Sequence, residues 1–61
     1  MPKFRATAYN DKGWTFQFFF KHDGWGQIDE KARLALDLLV EADPMHKQNG
    51  PWNFRNIDVS A

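Results

Sequence analysis

The chain has no cysteine, so neither a disulfide nor a thiolate–metal site can staple it. It has no net charge at neutral pH, which argues against a dedicated nucleic-acid coat protein. No stretch approaches the roughly 20 apolar residues of a membrane-spanning helix. The first residues mix polar and apolar types and form no signal-peptide core. These absences lead us to expect a cytoplasmic protein that needs neither a membrane nor a reducible cross-link. Serine is scarce: Ser60 is the lone hydroxyl nucleophile of that type, next to the last residue of the sequence. The two histidines, His22 and His46, fall in no metal-ligand spacing and are expected to be solvated loop residues. Gly24-Trp25-Gly26 precedes a helix pattern but lacks the lysine and hydroxyl of a phosphate-binding loop. Asp29 and Glu30 just beyond it would repel an anion, so a turn into the helix is the better reading. No catalytic constellation, metal site or cofactor is expected, and the chain reads as a non-enzyme.

Aromatic residues are plentiful instead: six Phe, three Trp and one Tyr in 61 residues. A chain this short buries only about 60% of the surface that its unfolded form exposes. Large rings, each removing roughly 150–250 Å² from water, offset that handicap. Trp14, Phe16, Phe18 and Phe20 occupy every second position, the spacing of one strand face. Phe19 must then point the other way, which leaves an apolar ring on the opposite sheet face.

Phe4 to Tyr9 alternates in the same manner, with Phe4, Ala6 and Ala8 on one side and Arg5, Thr7 and Tyr9 on the other. Asn10-Asp11-Lys12-Gly13 joins the two strands as a bulged hairpin, with Gly13 supplying a left-handed residue. From Gln27 the period changes to that of a helix. Ile28, Ala32, Ala35, Leu36, Leu39 and Ala42 fall on one side, and Asp29, Arg33, Asp37 and Glu41 form the opposite stripe. Asp29–Arg33 and Arg33–Asp37 are i,i+4 pairs of opposite charge. Asp43 precedes Pro44 and is thereby excluded from helical geometry, so the helix stops near Ala42. Residues 43–51 read as a loop, and Trp52 to Val59 as a third strand of mixed parity. A bulge between Phe54 and Ile57 would bring both pairs of apolar residues to the core.

The expectation is a single small α+β domain of two layers, β-β-α-β, with strands near 3–9, 14–22 and 52–59 and a helix near 27–42. The sheet order is 2-1-3, antiparallel, with the helix on one face. Phe4, Ala6, Trp14, Phe16, Phe18, Phe20, Ile28, Ala32, Ala35, Leu36, Leu39 and Ile57 should form the core. Lys21 in strand two and the Asn and Asp of strand three oppose edge-to-edge pairing and favour a monomer over a homodimer.

Charge is unevenly distributed. Residues 1–22 hold Lys3, Arg5, Lys12 and Lys21 against Asp11, whereas residues 27–43 hold five carboxylates against Lys31 and Arg33. Basic side chains interleaved with rings on the open sheet face fit a protein partner, where Arg, Tyr and Phe are enriched. Arg5, Tyr9, Phe19 and Arg55 are the expected contact residues, with Trp25 a secondary anchor beside the helix start. The alternative is a single-stranded nucleic-acid platform on the same face, with cations for phosphate and rings for bases. The acidic helix stripe Asp29, Asp37 and Glu41 is a second candidate surface, for a basic partner.

Three pieces carry a family resemblance: Lys3-Phe4-Arg5-Ala6-Thr7 in the first strand, Phe16-Gln17-Phe18 in the second, and Ile28-Asp29-Glu30 opening a Leu/Ala-rich helix. In these the chain resembles the small inhibitor of host RNA polymerase found in T7-like bacteriophages, a single β-β-α-β domain of similar length. The segment 43–51 and the extra aromatics depart from that pattern. The family's polymerase contacts lie outside the matched pieces, so no functional residue transfers. The resemblance implies a compact phage protein that binds a host macromolecular complex in the bacterial cytoplasm and inhibits or modulates it.

Overall fold

The computed structural model describes residues 1–60. Its elements are β1 (Lys3–Asn10), β2 (Thr15–Lys21), α1 (Ile28–Ala42), α2 (Pro44–Gln48) and β3 (Trp52–Ser60). The sheet has three strands in the order β2-β1-β3, and β1 pairs antiparallel with both neighbours. This is the two-layer α+β arrangement expected from the periodicities.

The hairpin forms as its turn residues require. Gly13 adopts φ 85°, and its N–H donates to the Asn10 carbonyl at 3.2 Å. Asn10 donates its own N–H to the Trp14 carbonyl, also at 3.2 Å. A left-handed residue at this place lets a type I turn join two twisted strands.

The core lies between β1, β2 and α1. Phe4, Ala6 and Ala8 of the central strand are fully buried, together with Phe18, Phe20, Ala32, Leu36 and Trp52. Two alanines on the middle strand leave room for the helix to approach, and the rings of β2 fill the side. Phe16, Ile28, Ala35, Phe54 and Ile57 pack against this cluster. Phe4 and Phe20 stack at 5.8 Å, Phe18 and Phe20 at 5.9 Å.

Two expected core residues are at the surface. Trp14 is 46% exposed and Leu39 41%. Trp14 loses its place to Trp52, which is 5% exposed. The Trp52 indole N–H donates to the His46 carbonyl at 2.6 Å, which anchors that ring beneath α2. Trp14 is left on the rim, with Lys12 Nζ 6.0 Å from its ring centroid. Leu39 is exposed because the apolar arc of α1 is wider than a three-stranded sheet can cover.

The segment 43–51 is more than a loop. Asp43 is extended (φ −124°, ψ 110°), as a residue before proline should be, and it ends α1. It also starts α2: its side chain accepts from the Met45 N–H at 3.0 Å, and Pro44 occupies the first turn. Aspartate at the cap followed by proline is a helix-start signal. At the other end of the molecule, Gly24 and Gly26 do not supply the left-handed residue of the turn into α1; Gln27 does, at φ 55°.

β3 contains the bulge that its parity demanded. Arg5 pairs with Asp58 and Thr7 with Arg55, so Ala6 faces two residues, Asn56 and Ile57. Asn56 takes φ 59°, a conformation that asparagine tolerates well. The extra residue brings Ile57 onto the same face as Phe54, but Val59, expected in the core with it, stays 48% exposed at the end of the strand. No described helix is long and apolar enough to cross a membrane.

Candidate functional site

The sheet face turned away from α1 is built from alternate residues of all three strands. Cross-strand pairing places them in rows: Lys21, Lys3 and Ser60; Phe19, Arg5 and Asp58; Gln17, Thr7 and Arg55; Thr15, Tyr9 and Asn53. Four cations, Lys3, Arg5, Lys21 and Arg55, share this face with one carboxylate, Asp58. Helix α1, on the other side of the sheet, carries Asp29, Glu30, Asp37 and Glu41 against Lys31 and Arg33. The charge imbalance along the sequence therefore becomes a dipole across the domain.

Four of the expected contact residues meet on the open face. Arg5 sits directly opposite Phe19, which is 48% exposed. The Arg55 guanidinium lies over Tyr9, 4.9 Å from the ring centroid. Lys3 Nζ lies over Phe19 at the same distance, 4.9 Å. Each pairing is a cation–π contact worth about 0.5–1 kcal/mol at an exposed site. Lys3 belongs to the site although its position at the start of β1 made it inconspicuous; the alternation that exposes Arg5 also exposes Lys3. Asp58 and Asn53 join it through the bulge register of β3, which parity alone could not assign.

Among the described residues Arg5 has no ion-pair partner within salt-bridge distance. Asp58, its cross-strand neighbour, accepts instead from the Val59 N–H at 2.8 Å. Arg5 thus presents an unpaired guanidinium beside an exposed ring.

Trp25 does not join this group. It packs edge-on against the buried ring of Phe4, centroids 5.1 Å apart, and so closes the helix side of the core at one end of the molecule. Its outer surface remains exposed, but on the other layer.

The acidic stripe is partly neutralised. Asp37 lies 3.7 Å from Arg33, and Glu41 lies 3.0 Å from Lys47 of α2. The expected Asp29–Arg33 pair is not formed. Arg33 turns toward β3, where its guanidinium donates to the Trp52 carbonyl at 2.9 Å and to Asn53 Oδ1 at 3.0 Å. It also covers the Phe54 ring at 5.1 Å.

The histidines lie at opposite ends, as expected, but His46 is not a solvated loop residue. Its ring stacks on Phe16 at 4.4 Å and meets the edge of Trp52 at 5.6 Å. His22 Nε2 lies 2.7 Å from the Gly26 carbonyl, holding the turn before α1. Among the described residues no three His, Asp or Glu side chains come together as a metal site.

Compared with known protein families, curated proteins and solved structures, the chain shows no match.

Proposed function

We propose that this protein is a non-enzymatic protein-binding module whose open sheet face docks an acidic surface on its partner. The observation that carries the reading is Arg5, without a salt-bridge partner among the described residues, directly opposite the exposed Phe19 ring on a face with a clear excess of cations. Arginine offers a planar fork to a partner carboxylate, and the ring offers apolar area that the core does not use. Arg55 held over Tyr9 extends the same chemistry across the sheet. Strands hold such side chains with little freedom to lose on binding, which favours affinity. The resemblance to a phage inhibitor of host polymerase supports the same class of role, an inhibitor or modulator of a host complex in the bacterial cytoplasm.

The second reading is a single-stranded nucleic-acid platform, and Lys3 over Phe19 is the observation that favours it. The two readings part on salt. Binding to phosphate falls steeply with log[salt] through counterion release, whereas an interface anchored by rings falls less.

The test is capture from bacterial lysate by the wild type and by Arg5→Glu/Arg55→Glu, with and without nuclease. Both side chains lie outside the core, so the double variant keeps its fold, with its melting temperature lowered by no more than the lost Arg55–Tyr9 contact and the new charge beside Asp58. A protein captured by the wild type, indifferent to nuclease and lost with the variant, supports the proposal. Capture that survives in a folded double variant overturns it, and nuclease-sensitive capture moves the assignment to nucleic acid.

A further inference from the structure

The sheet has two outer edges, and only one is guarded. The hydrogen bonds Asn10 N–H to Trp14 carbonyl and His22 N–H to Pro2 carbonyl bracket the β1–β2 ladder, each at 3.2 Å. Antiparallel pairs alternate between bonded and non-bonded, so Phe16, Phe18 and Phe20 bond to β1. Thr15, Gln17, Phe19 and Lys21 direct their N–H and carbonyl groups outward, at an edge that no element covers. On β3 the outward carbonyl of Trp52 is taken by Arg33, and the bulge at Asn56 breaks the run further along. These are devices that prevent strand addition. β2 has no bulge and no proline; its sole charged residue is Lys21, at its end.

The same side of the molecule carries uncovered apolar surface. Stepping about 100° per residue round α1 turns Ala32 and Leu36 to the sheet. Arg33, which reaches β3, marks one flank. The other flank, above β2, is then Ala35, Leu39 and Ala42, with Lys31 and Leu38 just beyond. Leu38 is 73% exposed and Leu39 41%.

We propose that a second copy of this chain occupies that side, with β2 pairing antiparallel to its own copy across a two-fold axis at Phe18. In this register Thr15 faces the copy's Lys21, and Gln17 faces its Phe19. All four outward residues find partners, and no like charges oppose. On the helix side Phe18 meets Phe18 and Phe16 meets Phe20, extending one core into the next. The two α1 axes lie about three strand spacings apart, roughly 14 Å. That is wider than the roughly 8–10 Å between closely packed helices, so Leu38 and Leu39 of both copies lie in the interval between them. Free backbone edge and uncovered leucines are independent features, and one two-fold operation satisfies both. The result is a six-stranded sheet with both open faces continuous and both acidic helices behind it. This outweighs the monomer expected from Lys21, because Lys21 meets a threonine rather than a lysine. The pairing does not depend on what the open face binds.

Sedimentation of the full chain over a concentration series up to the millimolar range tests this, with a species of twice the chain mass expected. Gln17→Pro removes an outward N–H without touching the ladder to β1. Leu38→Glu puts a carboxylate in place of an uncovered leucine at the seam. Each should weaken the dimer by at least about tenfold, equivalent to about 1.4 kcal/mol, and Leu38→Glu should leave the circular dichroism unchanged. Should Gln17→Pro fail to fold, Leu38→Glu decides alone. A wild type that stays monomeric throughout overturns the proposal. So does a dimer that Leu38→Glu leaves unweakened.

Discussion

The imidazole of His46 lies flat on the ring of Phe16, with centroids 4.4 Å apart and planes within 6° of parallel. Its backbone carbonyl holds the Trp52 indole, so one residue of α2 covers two aromatic residues of the sheet. Nδ1 lies 3.6 Å from Asp43 Oδ2 and has no hydrogen-bond partner. The side chain therefore acts here as a ring more than as a hydrogen-bonding group. His46→Ala should cost about 1–2 kcal/mol, combining lost area with an aromatic contact of about 0.5–1.5 kcal/mol. His46→Phe should stay within about 0.5 kcal/mol of wild type, since it preserves the stack. Urea unfolding of both variants checks this; equal losses in the two would show that the imidazole nitrogens matter.

Among the described residues Asn10 is the one buried polar residue, 7% exposed, and both ends of its side-chain amide are bonded. Oδ1 accepts from the N–H groups of Lys12 at 3.1 Å and Trp14 at 2.9 Å, while Nδ2 donates to the Asn49 carbonyl at 2.9 Å. The residue ties the hairpin turn to the segment after α2. Asn10→Ala should cost about 2–3 kcal/mol, because it strands buried backbone groups as well as removing bonds. Asn10→Asp should be no better: it keeps the acceptor but loses the donor and adds a buried charge. Thermal unfolding in which Asn10→Ala melts within a degree of wild type would rule out this role.

Gln27 holds a left-handed conformation at the entry to α1, and its side chain makes no capping hydrogen bond. A non-glycine residue there costs roughly 1–2 kcal/mol, partly offset by the lower chain entropy of glutamine when unfolded. Gln27→Gly should therefore stabilise the domain by about 0.5–1 kcal/mol. Neighbouring glycines give no such gain, because Gly24 and Gly26 do not take positive φ. Gly26→Ala should be neutral or slightly stabilising by comparison, and the pair of melting temperatures tests the assignment.

Which features were legible in the sequence follows from the range of the forces involved. Alternation from Phe16 to Phe20 and the 3.6-residue period from Ile28 to Ala42 report burial directly, so both elements and the sheet order could be read. The placement of Arg5, Tyr9 and Phe19 on the open sheet face came with the strand alternation, and the parity of β3 put Arg55 beside them. The fate of Trp14 could not be read, because Trp14 and Trp52 compete for one space beside Asn10. The contest is decided by a hydrogen bond from Trp52 to His46, far along the chain. Arg33 likewise has a local partner, Asp29, at helix spacing, yet it bonds to β3 because an unpaired strand carbonyl is a stronger attraction than a solvated carboxylate. The bulge was legible as one way to bring Phe54 and Ile57 to the same face, although Val59 stays exposed. Its placement at Asn56 depended on which residue tolerates a positive φ.

Arg33 also makes the sharpest prediction about assembly. Its fork donates to Trp52 and Asn53 along the outer edge of β3 and shields the Phe54 ring. Arg33→Lys keeps the charge but cannot make both bonds from one planar group. Arg33→Ala should cost about 1–3 kcal/mol, through an unsatisfied Trp52 carbonyl and lost cover over Phe54. Arg33→Lys should recover only part of that. The loss of stability comes with a second effect, because removing the guard leaves a second edge open to strand addition. Light scattering of Arg33→Ala held well below its melting temperature should show species larger than those of the wild type. Leu38→Glu, which disrupts only the opposite side, should not suppress them. If Arg33→Ala loses stability yet forms no larger species, the bulge at Asn56 alone is enough to protect the β3 edge.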